Sequence, residues 1–334
     1  MAHPAQQHAL LHTAKGLTKE HFKVVADHPV PTAGKGELLV RVKAAALNPV
    51  DWKMANIGFI IQSYPVVLGC DLAGVVEHVG EGVADFKVGD EVYAFTKLGS
   101  HRQGAFQQHA VVEARMASHK PKALSFAQVA TIGVGALTAA DGLFLHMGLK
   151  APGEGDNHGK YILVWGAASS VGAYAVQLAA LAGLKVIATA SPKNFDYVKS
   201  LGAQHVVDYN SPHAVEEIKK IAGGKLTLAY DVISPATATL AASALTTEEP
   251  AQLAYCAGAP TNPPANVKVS SVFIGGNYES AAYPATVKHL AALFDQGKLK
   301  TNVVEPLHGG LNGIVDGLLR LQKGVSGVKL VAEL

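Results

Sequence analysis

Hydrophobic and polar positions fall into two patterns along the chain. In the first third, short apolar and β-branched runs stand between glycines and other turn formers. Glu37–Lys43 alternates in its second half, Gly74–Val79 is rich in valine, and Phe86–Asp90 reads as a turn into Glu91–Phe95. Short strands at such spacing predict a barrel or sandwich. After about Ser125 the period changes, and Gln128–Gly148 reads as helical. The polar, glycine-rich stretch Ala151–Gly159 reads as an exposed connection.

From Lys160 the pattern alternates strand and helix. Tyr161–Trp165, Lys185–Thr189, His205–Asp208 and Leu226–Ile233 read as strands, and Ala173–Leu181, Asn194–Leu201 and Ala214–Ala222 as helices. This βαβα rhythm predicts a parallel sheet covered on both faces, an α/β fold. Further strands are expected at Ala251–Cys256, Ser271–Gly275 and Lys329–Ala332, and helices at Tyr283–Gln296 and Asn312–Lys323. The chain shows no internal repeat and no low-complexity tract.

Composition removes several function classes. With 49% hydrophobic residues in 334, the chain has apolar surface enough for two cores and is not intrinsically disordered. Lys and Arg number 28 against 26 Asp and Glu, with no basic run, which argues against nucleic acid or an anionic membrane as partner. The two cysteines, Cys70 and Cys256, make neither a disulfide framework nor a four-cysteine zinc lobe. They fit a reducing compartment, and a cytoplasmic location is expected. Met1–Thr13 lacks the pattern of a secretory signal. The apolar stretch Phe126–Leu149 is broken by Gly133, Gly135, Asp141 and Gly142, and reads as buried helix rather than a membrane span.

The strongest chemical signal is Trp165-Gly166-Ala167-Ala168-Ser169-Ser170-Val171-Gly172, directly after an apolar strand and opening a helix. Such a turn lets backbone N–H groups approach a pyrophosphate, and the helix N-terminus adds partial positive charge. Gly166 permits the tight turn and Gly172 close helix–strand packing. The Ser169 and Ser170 hydroxyls are further candidates for phosphate. At the end of the second strand, where an acid would hold the ribose 2′-hydroxyl of NAD, the chain reads Thr189-Ala190-Ser191-Pro192-Lys193-Asn194. A hydroxyl, a cation and an amide suit a 2′-phosphate, so NADP (as NADPH) is the expected cofactor. Tyr209 would pack near the same adenosine end.

The motifs Asn48-Pro-Val-Asp51-Trp-Lys53, Tyr64-Pro-Val-Val-Leu-Gly69-Cys-Asp71-Leu-Ala-Gly74, Phe86-Lys-Val-Gly-Asp90, Gly135-Ala-Leu-Thr138, Asn194–Ala203 and Gly327-Val-Lys-Leu-Val331 span nearly the whole chain. The chain thereby resembles the medium-chain dehydrogenases/reductases, in their zinc-free quinone oxidoreductase branch and closest to fungal trans-acting enoyl reductases. The resemblance implies a GroES-like β-barrel catalytic domain over 1–126, a Rossmann domain with a doubly wound parallel sheet over 127–282, and a segment, 283–334, returning to the first domain. It implies further cofactor contacts at Asn48, Pro49, Val50, Asp51, Ala257, Val328 and Lys329. The loop with Gly275, Asn277 and Tyr278 would approach substrate, opposite an apolar wall of Phe59, Ile60 and Ile61.

The chain departs from the zinc alcohol dehydrogenases of this superfamily. Those place a cysteine where this chain has Asn48–Asp51, and a His-Glu pair where it has Cys70-Asp71. A catalytic zinc needs about three converging protein ligands, and none is expected here. His8 and His12 have the spacing of two ligands on one helix face, with no third ligand or glutamate beside them. Without a Lewis acid, reduction of a conjugated double bond is the most accessible chemistry, because the developing enolate needs only hydrogen-bond donors. Lys53 is a candidate to contact the nicotinamide ribose or to stabilise the enolate, and otherwise a surface lysine. By resemblance the Thr138 hydroxyl faces the ribose or the substrate carbonyl, and otherwise it bonds the preceding turn of its helix. Tyr64 can donate a proton or simply pack.

The expected function is a zinc-independent NADPH-dependent reductase of enones, enals, enoyl thioesters or quinones. Its alternatives are a metal-free carbonyl or alcohol oxidoreductase and a cofactor-binding protein without turnover. The expected partner is a small molecule, and the chain a monomer or a homodimer. An edge strand near Val272–Gly275, cut short by Gly276 and Asn277, leans toward the monomer.

Overall fold

The computed structural model describes residues 4–334. Residues 1–3, part of the stretch read for a leader, lie outside the described residues. The chain divides into two compact units, one of residues 1–134 and 278–334, the other of 135–277.

The first unit is mainly antiparallel β. It begins with β1 (Gln6–His12), β2 (Phe22–Pro29), β3 (Glu37–Ala46), α1 (Pro49–Ile57), β4 (Val66–Val67) and β5 (Asp71–Val79). It continues with β6 (Glu91–Phe95), β7 (His109–Glu113), β8 (Ala117–His119) and the short α2 (Phe126–Val129). β3 is its spine: it pairs antiparallel with β5 and with β7, and at its end with the last strand of the chain. Leu38, Leu39, Val40, Val42 and Ala44 to Ala46 on β3 are all buried. A separate sheet has the order β2-β1-β4. Strand pairing gives Gln6–His12 a structure that its polar sequence does not announce, so His8 and His12 sit on a strand and not on a helix face. His8 is exposed and His12 fully buried.

Helix α3 (Gly133–Ala140) leads into the second unit and runs on as a π-helical turn, Asp141–His146. The expected single helix over Gln128–Gly148 is thus three pieces, interrupted by non-helical residues 130–132 and by the wider turn at Asp141. Taken together, Phe126–His146 is long and apolar enough to cross a membrane, but 72% of that window is buried within the protein, as in a core helix. Then follow β9 (Tyr161–Trp165), α4 (Ser170–Leu181), β10 (Lys185–Ala190), α5 (Phe195–Ser200), β11 (His205–Asp208), α6 (Ala214–Ala222), β12 (Leu226–Asp231), α7 (Pro235–Ala244), β13 (Ala251–Tyr255) and β14 (Val267–Ser271). The sheet is wholly parallel with order β11-β10-β9-β12-β13-β14. The order reverses at β9, and such a switch point opens a ligand crevice at the strands' carboxyl ends. The last strand is displaced from the expected Ser271–Gly275. Val267–Ser271 pairs with β13, whereas the more apolar 272–275 passes into turns. The edge strand is therefore Val267–Ser271.

The chain then returns to the first unit through α8 (Tyr283–Asp295), β15 (Val304–Leu307), α9 (Ile314–Lys323) and β16 (Lys329–Glu333). β16 pairs parallel with β15 and antiparallel with β3. Both unit boundaries fall inside the expected 127–282. At one end the Val134 N–H donates to Asp71 Oδ1 (2.7 Å). At the other the Tyr278 ring packs edge-on against Phe95 and between the cations of Lys97 and Arg115. These contacts bind both flanking segments to the first unit.

Candidate functional site

The second unit carries the turn at its switch point. Gly166, at the end of β9, has φ of +86°, which a residue with a side chain rarely adopts. A Cβ there would lie 2.3 Å from Ile233. At Gly172 a Cβ would lie 2.2 Å from the Gly166 carbonyl oxygen, so the first turn of α4 lies directly on the loop. Ser169 is the N-cap of α4, its side chain accepting from the Gly172 N–H (3.1 Å). Its hydroxyl thus has a structural task besides any phosphate contact. Ser170 and Val171 are half-buried and Ala168 is buried at the same turn.

Two residues that hold this turn escaped the sequence reading. The buried Thr189, on β10, accepts the Gly166 N–H on its hydroxyl (3.0 Å) and the Ala167 N–H on its carbonyl (2.9 Å). Asp231, ending β12, is fully buried and accepts from the N–H groups of Ile233 (3.1 Å) and Ser234 (3.2 Å). Burial raises its pKa, and the Thr237 hydroxyl and the two N–H groups oppose the rise. Asp231 shapes the loop that carries Ile233 against Gly166. The one available signal was an acid ending an otherwise apolar strand.

The expected 2′-phosphate residues come together at the carboxyl end of β10. Asn194 donates from its side chain to Ser191 Oγ (3.3 Å) and from its backbone to the Ser191 carbonyl (2.9 Å). Lys193 between them is exposed. Ala190 and Asp208 are register partners, so the exposed Tyr209 emerges at the same edge. The set fits a dinucleotide: a glycine cradle with no room for a side chain, a twelve-residue helix starting at it, and a cation with a hydroxyl at the next strand end. Ala257, beyond β13, is half-buried.

The first unit holds a different constellation, a buried polar centre. Asn48 caps α1, and its backbone N–H donates to Asp51 Oδ2 (2.7 Å). Its side-chain amide donates to Asp71 Oδ2 (2.9 Å). Lys329, on β16, donates to Asn48 Oδ1 and lies 3.6 Å from Asp71 Oδ2. Cys70 Sγ is 3.6 Å from Asp51 Oδ1. Burial pushes the Asp51 carboxyl up to about 7, opposed by the Asn48 N–H and raised further by Asp71. Burial also raises Asp71, with Lys329 the leading opposing influence, and lifts the Cys70 thiol well above its ordinary value. Asn48, Asp51 and Lys329, expected beside the cofactor, thus turn their side chains into this centre. Pro49 is exposed, and Val50 and Val328 are half-buried.

A zinc ion does not fit these residues. The Asp71 carboxylate is engaged by Asn48 and the Val134 N–H, with the Lys329 ammonium 3.6 Å away as its counter-charge. Among the described residues, no group of three His, Cys, Asp or Glu side chains is arranged to hold a metal.

The remaining candidates stand on their own units. Lys53, half-buried on α1, has its ammonium 5.7 Å from the Trp52 ring centroid. Tyr64 meets His12 edge-on at 5.4 Å, a packing role. Phe59 and Ile61 are half-buried, and Ile60 is exposed with φ of +69°. That left-handed backbone at a β-branched residue costs about 1–3 kcal/mol. In the second unit Thr138 is buried within α3, and its carbonyl accepts the Tyr230 hydroxyl (2.7 Å). Gly275 and Asn277 lie in consecutive turns after β14. Tyr278, expected against substrate, is only 2% exposed and belongs to the first unit. Its ring is already covered by Phe95, Lys97 and Arg115, so the structure assigns it packing.

Comparison with known proteins matches residues 34–122 to the alcohol dehydrogenase GroES-like domain and 170–278 to the zinc-binding dehydrogenase family. The dehydrogenase azaJ of Aspergillus niger is 37% identical, the match covering 95% of this chain and 96% of that protein. The trans-enoyl reductase ACTTS2 of Alternaria alternata is 34% identical over 93% of this chain and 95% of its own. An alcohol dehydrogenase superfamily protein from Novosphingobium aromaticivorans superimposes with a TM-score of 0.84 at 26% identity, covering 98% of this chain and 99% of that one. Two domain matches in order, a parallel sheet reversing at its glycine turn and full-length relatives converge on one conclusion. The chain belongs to the medium-chain dehydrogenase/reductase superfamily, in its enoyl reductase-like branch.

Proposed function

We propose that the protein is a zinc-independent, NADPH-dependent reductase of activated carbon–carbon double bonds. One observation carries the reading: the buried Asp71 carboxylate is engaged by Asn48, the Val134 N–H and the Lys329 ammonium, so the polar centre of the first unit carries its own counter-charge in place of a Lewis acid. Alcohol and ketone redox then lack an electrophile for the alkoxide, whereas an enolate is held by hydrogen bonds alone. The full-length likeness to a trans-enoyl reductase supports the same chemistry. Lys193 and Ser191 favour NADPH, since no acid stands at that strand end to hold a free 2′-hydroxyl. When bound, the cofactor supplies a hydride to the β-carbon of the conjugated system, and a proton from a side chain or water reaches the α-carbon of the resulting enolate. On the first unit, Lys53 is the candidate to donate a hydrogen bond to the developing enolate oxygen or to order the ribose; on the second, the Thr138 hydroxyl is a candidate donor in its own right. Exposed Ile60 and half-buried Phe59 suit apolar substrate groups. The setting is a reducing, cytoplasmic one.

The test is NADPH oxidation with an enone, a quinone and a simple ketone. Turnover is expected with the enone or the quinone and not with the ketone. Reduction of the ketone alone, or cofactor binding without turnover on any of the three, would overturn the reading. Lys53→Ala and Thr138→Val divide the roles. Loss of an enolate donor lowers kcat by about 2.7–4 kcal/mol in barrier terms, whereas loss of a ribose contact raises the KM for cofactor.

A further inference from the structure

The polar centre of the first unit brings together chemistry that interiors otherwise avoid. Two carboxyl groups, a thiol, a carboxamide and an ammonium, from Asp51, Asp71, Cys70, Asn48 and Lys329, are all buried. They come from α1, from the start of β5 and from β16, and Lys329 and Asn48 are 281 positions apart in the chain. The Val134 N–H donates to the other Asp71 oxygen. A buried carboxylate without a counter-charge is strongly destabilising, and a bound divalent cation is one common remedy. Here the Lys329 side chain enters from the C-terminal strand and meets both Asn48 Oδ1 and Asp71 Oδ2.

We infer that Lys329 is a positioning residue, a built-in counter-ion that does for Asn48 and Asp71 what a bound cation would do, and so fixes the N-terminus of α1 to β5 from the chain's last strand. The charges balance when Asp51 keeps its proton. The ammonium and the Asp71 carboxylate then cancel, and Asp51 accepts the Asn48 N–H as a neutral acid. The raised pKa of Asp51 agrees with that arrangement. The inference rests on this centre alone and stands whatever substrate the protein reduces.

The test compares Lys329→Met and the double variant Lys329→Met/Asp71→Asn with the wild type, by thermal unfolding from pH 5 to pH 8. Methionine keeps much of the stem's volume and removes the charge. Asp71 then has no cation, and its folded-state pKa rises further above its unfolded value. Stability from such a group is fully present below the unfolded pKa and is lost as pH rises through the folded one. The Lys329→Met deficit is therefore small near pH 5 and grows to a Tm loss of about 10 °C near pH 8.

In the double variant the new amide accepts the Val134 N–H on its oxygen. Its NH₂ then donates to Asn48 Oδ1, once the Asn48 amide has turned over. Most of the lost Tm should return, and the extra pH slope should vanish. Parallel Tm–pH curves for wild type and Lys329→Met would overturn the inference. So would a double variant no better than the single one. Titration of the wild type with zinc chloride gives a separate arm, in which no binding dependent on Asp71 is expected. One equivalent bound by the wild type and lost in Asp71→Asn would show that the cation's place is open, and the inference would fall.

Discussion

Lys193 is the residue on which the proposed preference for NADPH over NADH rests. It is exposed at the end of β10, between Ser191 and Asn194, which are hydrogen-bonded to each other. That bond holds the local backbone, so replacing the lysine removes a charge without unmaking the turn. Lys193→Ala is expected to weaken NADPH binding by about 1–3 kcal/mol, the range of a charged hydrogen bond, and to leave NADH binding nearly unchanged. Fluorescence titration with both cofactors reads the difference, and an equal loss for both would remove Lys193 from 2′-phosphate recognition. Thr189 and Asp231 show another kind of residue. Neither looks functional in sequence, yet each accepts two backbone N–H groups that define the turn's walls.

Among the elements, α4 and its approach to β9 matter most. A methyl group at Gly172 would sit 2.2 Å from the carbonyl oxygen of Gly166, and that oxygen belongs to backbone that cannot rotate away. Gly172→Ala is therefore expected to push the helix off the loop. Overpacking of this kind costs about 1–3 kcal/mol. The expected signature is a lower Tm together with weaker binding of both NADPH and NADH, unlike Lys193→Ala. An alanine variant with unchanged Tm and unchanged affinities would mean that the helix moves freely there. Strand β14 illustrates how pairing overrides local pattern. The sequence places the strand on Ser271–Gly275, but β13 finds its partners at Val267–Ser271.

For the whole molecule, the metal question is the sharpest. Prolonged treatment with a strong chelator is expected to leave both activity and Tm unchanged, because the buried Asp71 carboxylate has Asn48, the Val134 N–H and the Lys329 ammonium as partners. Activity lost to chelator and restored by added zinc would contradict the proposed chemistry. The division of the chain also belongs to this scale. Its two crossings lie at 134/135 and 277/278, set by the Val134–Asp71 bond and by the packing of Tyr278. Tyr278 looked like a substrate residue because its loop follows the last strand of the parallel sheet. Its large ring, once covered by Phe95 and two cations, instead secures the chain's return.

By itself the sequence determined the parallel α/β half, the glycine turn at Gly166–Gly172 and the lysine where an acid would select NAD. These are local features: a period of apolar residues, a backbone conformation that only glycine adopts cheaply, and a charge within a few residues of a strand end. Tertiary structure alone decided that Gln6–His12 is a strand, that Val267–Ser271 rather than Ser271–Gly275 closes the sheet, and that Asn48, Asp71 and Lys329 form one buried centre. Each of those outcomes depends on partners far away in the chain, and the free energy of pairing or of neutralising a buried charge exists only once the partners have met.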